Sequence, residues 1–163
     1  MSQQLAGGWQ VGVIANYASG IPFTPFIGYD YAGDGSSDPN PQKPDWAPGF
    51  NPGNAIIGDP NNWFNANAFV LPPKGEYGNV ARNSLRGPDL KVVDLSVFKN
   101  TSVGKQNLQL RIEIFNLFNR PNFATPNSAV LFNSDGTRVP NATNVVRTTT
   151  TSRQLQLGVK FVF

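Results

Sequence analysis

Residues 153–163 read Arg-Gln-Leu-Gln-Leu-Gly-Val-Lys-Phe-Val-Phe, and this stretch decides the fold. Leu155, Leu157, Val159, Phe161 and Phe163 alternate with Gln154, Gln156, Gly158, Lys160 and Val162. Successive side chains on a strand point to opposite faces, so this is a ribbon with one apolar face and one largely polar face. Its length matches the roughly 9–11 residues a tilted strand needs to cross a bilayer. It closes on an aromatic, Phe163, which suits a membrane–water interface where rings anchor transmembrane strands. The same alternation also fits one strand of a soluble sandwich, and the rest of the chain must separate the two settings.

The period of two recurs three times upstream. In residues 107–118, Leu108, Leu110, Ile112 and Ile114 share one face, and Gln109, Arg111, Glu113 and Phe115 share the other. In residues 92–100, Val93, Leu95 and Val97 oppose Asp94, Ser96, Phe98 and Asn100. The polar stretch 101–106 between these two is short enough to make them a hairpin. Near the start, Trp9, Val11, Val13, Ala15 and Tyr17 alternate with Gln10, Gly12, Ile14, Asn16 and Ala18, with aromatics at both ends of the apolar face. We therefore expect four antiparallel strands near 9–19, 91–101, 106–118 and 153–163. Their apolar sides should form one continuous face, and Asp94 and Lys160 should lie across the sheet from Glu113 and Arg111.

The connections carry a second pattern. Residues 20–90 and 119–152 are long and rich in Pro, Gly, Asn and Asp, while 101–106 is short. Outer-membrane barrels alternate short periplasmic turns with long extracellular loops, and a soluble meander has no reason to do so. The first loop is not of disordered composition: Phe23, Phe26, Tyr29, Tyr31, Trp46, Phe50, Trp63, Phe64, Phe69 and Tyr77 are too many large apolar groups to remain solvated. It is expected to fold on a small core of its own, with short hairpins or a helical turn near residues 61–69. The expected fold class is all-β: antiparallel strands of a transmembrane β-barrel, about its last four, with two long extracellular loops.

Composition narrows the chemistry. Of the 163 residues only 14% are charged, against roughly 25% in ordinary soluble domains. No apolar run reaches the ~18 residues of a membrane-spanning helix. No signal peptide follows Met1, so an export signal is expected on a longer parent protein. With no Cys and no His, disulfides, thiolate nucleophiles, the usual zinc sites and imidazole bases are all excluded. Ser84 and Ser96 lack a nucleophile-elbow context, and the Gly-Ser run near residue 35 lacks the lysine and spacing of a phosphate loop. Asp30, Asp34 and Asp38 recur every four residues without the EF-hand spacing, so turn formation outweighs calcium. No enzyme activity and no cofactor are expected. The net charge of +3 is interspersed, with no basic block for nucleic acid.

Several stretches together resemble the C-terminal end of a TonB-dependent outer-membrane receptor of the Oar-like group, whose longer members carry a carboxypeptidase-regulatory-like domain. They are GGWQVGVIANYASGIPFTP, WFNANAFVLPPKGEYGNVARNSLRGPDLKVVDLSVFKN, LQLRIEIFNLFNRPNF and the terminal RQLQLGVKFVF. Arg111, Glu113, Phe115, Asn116, Phe118 and Asn119 fit that family's R-x-E-x-F-N-x-F-N strand. The resemblance implies a barrel of about 22 strands around a plugged lumen, set in the bacterial outer membrane. Its partners would be membrane lipid, the remaining barrel and plug, and TonB acting through parts outside this chain. It also implies that Leu155, Leu157, Val159, Phe161 and Phe163 form the signal read by the barrel-assembly machinery. Ligand contact in the extracellular loops is expected from Trp46, Trp63 and Tyr77 by stacking on a sugar or peptide, and from Arg82 and Arg86 on an anion. A self-packed loop core and an anchored loop base account for the same residues. The alternative class is a soluble β-rich carbohydrate- or peptide-binding module.

Overall fold

The computed structural model describes residues 7–35, 42–126 and 129–163. In chain order the strands are β1 (Trp9–Ala18), β2 (Pro22–Phe23), β3 (Asp45–Trp46), β4 (Ile56–Asp59), β5 (Asn62–Phe64), β6 (Phe69–Val70), β7 (Leu85–Arg86), β8 (Leu90–Val103), β9 (Gln106–Phe115) and β10 (Gln154–Val162). Among the described residues the only helical element is a 3-10 turn at Ala66–Ala68. The chain forms two compact units: the chain up to Ala18 with Leu90–Asn122 and Thr150–Phe163, and Ser19–Asp89 with Phe123–Thr149.

The first unit is a four-stranded antiparallel sheet in the order β1-β8-β9-β10. These are the stretches whose side chains alternate with period two, because only extended backbone puts such a pattern on two clean faces. Two boundaries differ from the sequence reading. The β8–β9 turn is tighter than the expected 101–106: Val103 pairs with Gln106, leaving a loop of Gly104 and Lys105. Gly104 takes φ +67, the positive dihedral that two-residue hairpin loops require.

The second difference is where β9 stops. It ends at Phe115 rather than near residue 118. Asn116 and Asn119 adopt φ +52 and +51, a left-handed conformation that asparagine tolerates better than most residues. The Asn116 side chain then secures the turn. Its Nδ2 donates to the carbonyls of Arg120 (3.0 Å) and Thr151 (3.1 Å), and its Oδ1 accepts from the Arg120 N–H at 3.1 Å.

The second unit is built from both long connections. Its core holds Ile27, Ala55, Phe64, Ala68, Phe69, Val80 and Leu85 from the first, and Leu131, Phe132 and Ala142 from the second. Phe64 and Phe69 are fully buried and meet edge-to-face, with centroids 5.8 Å apart, a favoured aromatic geometry. Burial of each such ring contributes about 1.5–3 kcal/mol. Three two-stranded pairings, β2–β7, β3–β6 and β4–β5, frame this core. The hairpin and helical turn expected near residues 61–69 are β4–β5 and the 3-10 turn, whose N-terminus is capped by the Asn65 side chain accepting from the Asn67 N–H. Arg138 pins the two connections together: Nη1 donates to the Ala66 carbonyl at 2.6 Å and Nη2 to that of Phe69 at 2.7 Å, and the guanidinium lies 5.1 Å from the Phe132 ring.

Candidate functional site

The register of the sheet builds a two-faced surface. On one face Val11, Val97, Ile112 and Leu157 form a cross-strand row, and Val13, Leu95, Ile114 and Leu155 form the next. Leu108 pairs with Phe161, and Leu110 with Val159. This apolar face is exposed: Val11 is 68% accessible, Leu157 71% and Val159 72%. Contiguous apolar area of this kind is abnormal for a soluble monomer and marks a surface meant for a non-aqueous neighbour. Phe163, 96% accessible, has its ring 6.4 Å from that of Phe161 and so continues the same face.

Each end of the apolar face carries a cation–aromatic pair joined across the β1–β8 register. Lys99 pairs with Trp9, its Nζ 5.0 Å from the ring centroid, and Lys91 pairs with Tyr17, its Nζ 5.2 Å away. Trp9 and Tyr17 are eight residues apart. That is about 27 Å along a strand, or roughly 20 Å of depth at the ~40° tilt of barrel strands, close to the ~25 Å apolar band of such barrels. An amphipathic ring with a long basic side chain over it keeps its apolar body on one side of an interface and its charge on the other. Sequence reading found the two rings but not the lysines, since the partners appear only once the register is known.

The opposite face is polar. It carries Gln10, Ser96, Asn100, Gln109, Arg111, Glu113, Gln156 and Lys160, with Gln109 Nε2 donating to Asn100 Oδ1 at 2.8 Å. The expected cross-strand charge pairs do not form. The register sets Phe98 and Gly158 opposite Arg111, and Ser96 and Gln156 opposite Glu113. Arg111 instead lies 4.7 Å from the Phe98 ring and, at 4.0 Å, only touches Glu113 along its own strand. Asp94 is drawn off to cap the turn after β9, accepting the Asn116 N–H at 2.8 Å.

The loop residues proposed for ligand contact are dispersed. Trp46 stacks on Phe69 with centroids 4.8 Å apart, and Trp63 donates its indole N–H to the Arg86 carbonyl at 2.8 Å. Both rings pack against the loop core. Arg82 and Arg86 are both exposed, and Arg86 Nη1 donates to the Gly20 carbonyl at 3.2 Å, an anchor at the loop base. Tyr77 is exposed and donates its hydroxyl to Asp34 Oδ2 at 2.5 Å, which raises its pKa above the usual phenol value. Asp30 is the hub of this corner. The nearly buried Gln42 donates Nε2 to its Oδ1 at 2.7 Å, and the N–H groups of Gly33, Asp34 and Gly35 donate to its carboxylate. The Gln42 bond first, and then the backbone N–H groups, hold the Asp30 carboxyl below the usual carboxylate range. These oxygens face N–H donors, as turn-forming aspartates do; Asp38 lies outside the described residues.

A family model described as an outer membrane beta barrel domain matches residues 1–156. The chain belongs to the outer membrane beta barrel domain family. No curated protein and no solved structure matches it. Membership fixes the setting of the two faces. This barrel sheet sits in the bacterial outer membrane, with its apolar face toward lipid and its polar face toward the lumen, and its long connections are extracellular. The soluble-module alternative falls with that assignment.

Proposed function

We propose that this barrel segment is the wall and surface-loop portion of a TonB-dependent, Oar-like receptor that takes up a substrate across the outer membrane, with no enzymatic role. The observation that carries this reading is the stretch Arg111–Asn119. It fits the receptor pattern residue by residue, and in the fold it runs from a lumen-facing Arg111 and Glu113 into a turn closed by Asn116 and Asn119. A polar inner wall of Gln, Arg, Glu and Lys suits contact with a hydrated plug. The folded loop unit supplies an outer surface, on which Tyr77, Arg82 and Arg86 are the exposed members of the proposed ligand-contact set. Trp46 and Trp63 support that surface from within. The terminal residues Leu155, Leu157, Val159, Phe161 and Phe163 serve the barrel-assembly machinery.

Planar-bilayer conductance of the full-length native barrel tests this reading. A plugged receptor stays closed, and opens only when urea unfolds the plug. A steady open conductance without urea would identify a porin-like channel instead. In cells, loss of TonB should abolish uptake while leaving the amount of barrel in the membrane unchanged.

A further inference from the structure

The lumenal face carries a notch between β9 and β10, and we propose that it holds the carboxylate of an acidic side chain on the plug. This rests on the plugged-receptor reading. A cavity of about 210 Å³ is lined by Gln109 and Arg111 of β9 and by Gln156, Gly158 and Lys160 of β10. All five positions lie on the polar face. The space exists because Gly158, without a side chain, stands opposite Arg111. A Cβ at Gly158 would lie 3.6 Å from Arg111 Cβ and 3.8 Å from its Cδ, so the arginine stem is one wall of the notch. The volume falls below the ~300–1,000 Å³ of pockets that enclose free small molecules. It suits a single side chain inserted from a neighbouring body.

The charge of the notch is one-sided. Arg111 and Lys160 are diagonal neighbours in the β9–β10 register, a spacing of roughly 7–8 Å that long side chains can bridge. Glu113 stands on the other side of Arg111, opposite Gln156, and reaches it only at 4.0 Å. The Gln109 amide is turned to Asn100, donating to its Oδ1 at 2.8 Å. The Arg111 guanidinium lies 4.7 Å from the Phe98 ring, which sets its plane without using its N–H donors. Among the described residues neither Arg111 nor Lys160 donates a side-chain hydrogen bond. A planar fork and an adjacent ammonium therefore meet at a space sized for one side chain. A carboxylate matches the fork with two oxygens, and its charge offsets the repulsion between the two cations. A neutral amide would leave those like charges side by side.

Carbodiimide coupling of the full-length native barrel in detergent tests this, because the reagent joins an ammonium to a carboxylate in contact with it and takes up the water released. Peptide mass spectrometry should find Lys160 joined to an Asp or Glu of the plug. Gly158→Leu, which fills the notch, should lower that yield about tenfold, the factor for one charge-assisted hydrogen bond. Arg111→Gln, which removes the fork and leaves the space, should lower it as much. Gly158→Ala, whose methyl meets Arg111 at ordinary contact distance, should change it by less than about twofold. Planar-bilayer conductance of the same preparations separates the two ideas, and a closed barrel in each variant verifies that wall and plug are assembled. An open channel without urea in the native barrel would overturn the plugged reading and this site with it. A closed barrel in which Lys160 joins no plug carboxylate, or only Glu113, would overturn the site alone. So would an unchanged yield in either assembled variant, Gly158→Leu or Arg111→Gln.

Discussion

Val13→Arg probes the membrane reading most directly. Val13 lies on the lipid face, 62% accessible, four residues from Trp9 and four from Tyr17. Four residues of strand span about 13 Å, which a ~40° tilt reduces to roughly 10 Å of depth from either ring. That puts Val13 near the middle of the apolar band, where an arginine on the lipid face costs about 2–4 kcal/mol, or roughly a 30- to 800-fold shift in the folding equilibrium. The same change at Tyr17 should cost only about 0–1 kcal/mol, because the guanidinium reaches the interface. Ile14 is the adjacent residue, equally accessible at 62%, but on the lumen face opposite Asp94. Ile14→Arg should therefore be near neutral. Reversible folding of the full-length barrel into phosphatidylcholine vesicles, followed against urea, measures all three. Equal costs at Val13 and Ile14 would refute the assignment of faces, and equal costs at Val13 and Tyr17 would refute the depth.

Other outcomes follow from single residues. In the full-length barrel, Phe163→Asp should refold in vesicles with a loss of at most ~1 kcal/mol yet greatly reduce membrane-inserted protein in cells; normal levels in cells would remove its role as an assembly signal. Asn116→Ala forfeits both a left-handed asparagine and three side-chain hydrogen bonds, a loss of about 2–3 kcal/mol, and Asn116→Gly, which keeps the dihedral, should lose less. Urea titration in detergent ranks the two, and a glycine variant worse than the alanine one would disprove the backbone argument. The lowered pKa of Asp30 means that its contribution to loop stability is complete above the unfolded value of about 3.9 and fades as pH falls through the lower folded value. Trp46 and Trp63 fluorescence melts between about pH 5 and pH 2 should show that acid-side loss, and Asp30→Asn should flatten it. With both sheet edges, β1 and β10, open, the chain should self-associate in water without detergent, and a monodisperse monomer by light scattering would contradict this.

The four long strands were legible because each repeats its alternation over nine or more residues, and no other backbone conformation sorts Leu108, Leu110, Ile112 and Ile114 from Gln109, Arg111 and Glu113. The loop unit was legible only in composition. Its strands β2, β3, β6 and β7 have two residues each, too short for any period, and their partners are distant in sequence. Sequence reading carries β9 to residue 118 because Leu117 and Phe118 keep the stretch apolar, whereas Asn116 ends the strand through its backbone, not its hydropathy. The spacing Asn116, Asn119 was the available signal. Of the candidate site, the lipid-facing residues could be read outright, whereas Lys91 and Lys99 acquire meaning only from the register that brings them beside Tyr17 and Trp9.

The shared core of the two long connections has a consequence for how this barrel can change. Phe26 bridges to Val130, and the Trp63 N–H bonds the Thr143 carbonyl at 2.9 Å, so the first connection is left without Leu131, Phe132 and Ala142 until the last one has been synthesised. The surface module is thus finished only after β8 and β9 have been made. The two connections also form one inheritable part: exchanging one of them for that of another barrel leaves part of an apolar core facing a stranger's surface, while exchanging both together transplants a module that brings its own interior. New loop surfaces on such a wall should arise by paired replacement, with the strands between carried along unchanged.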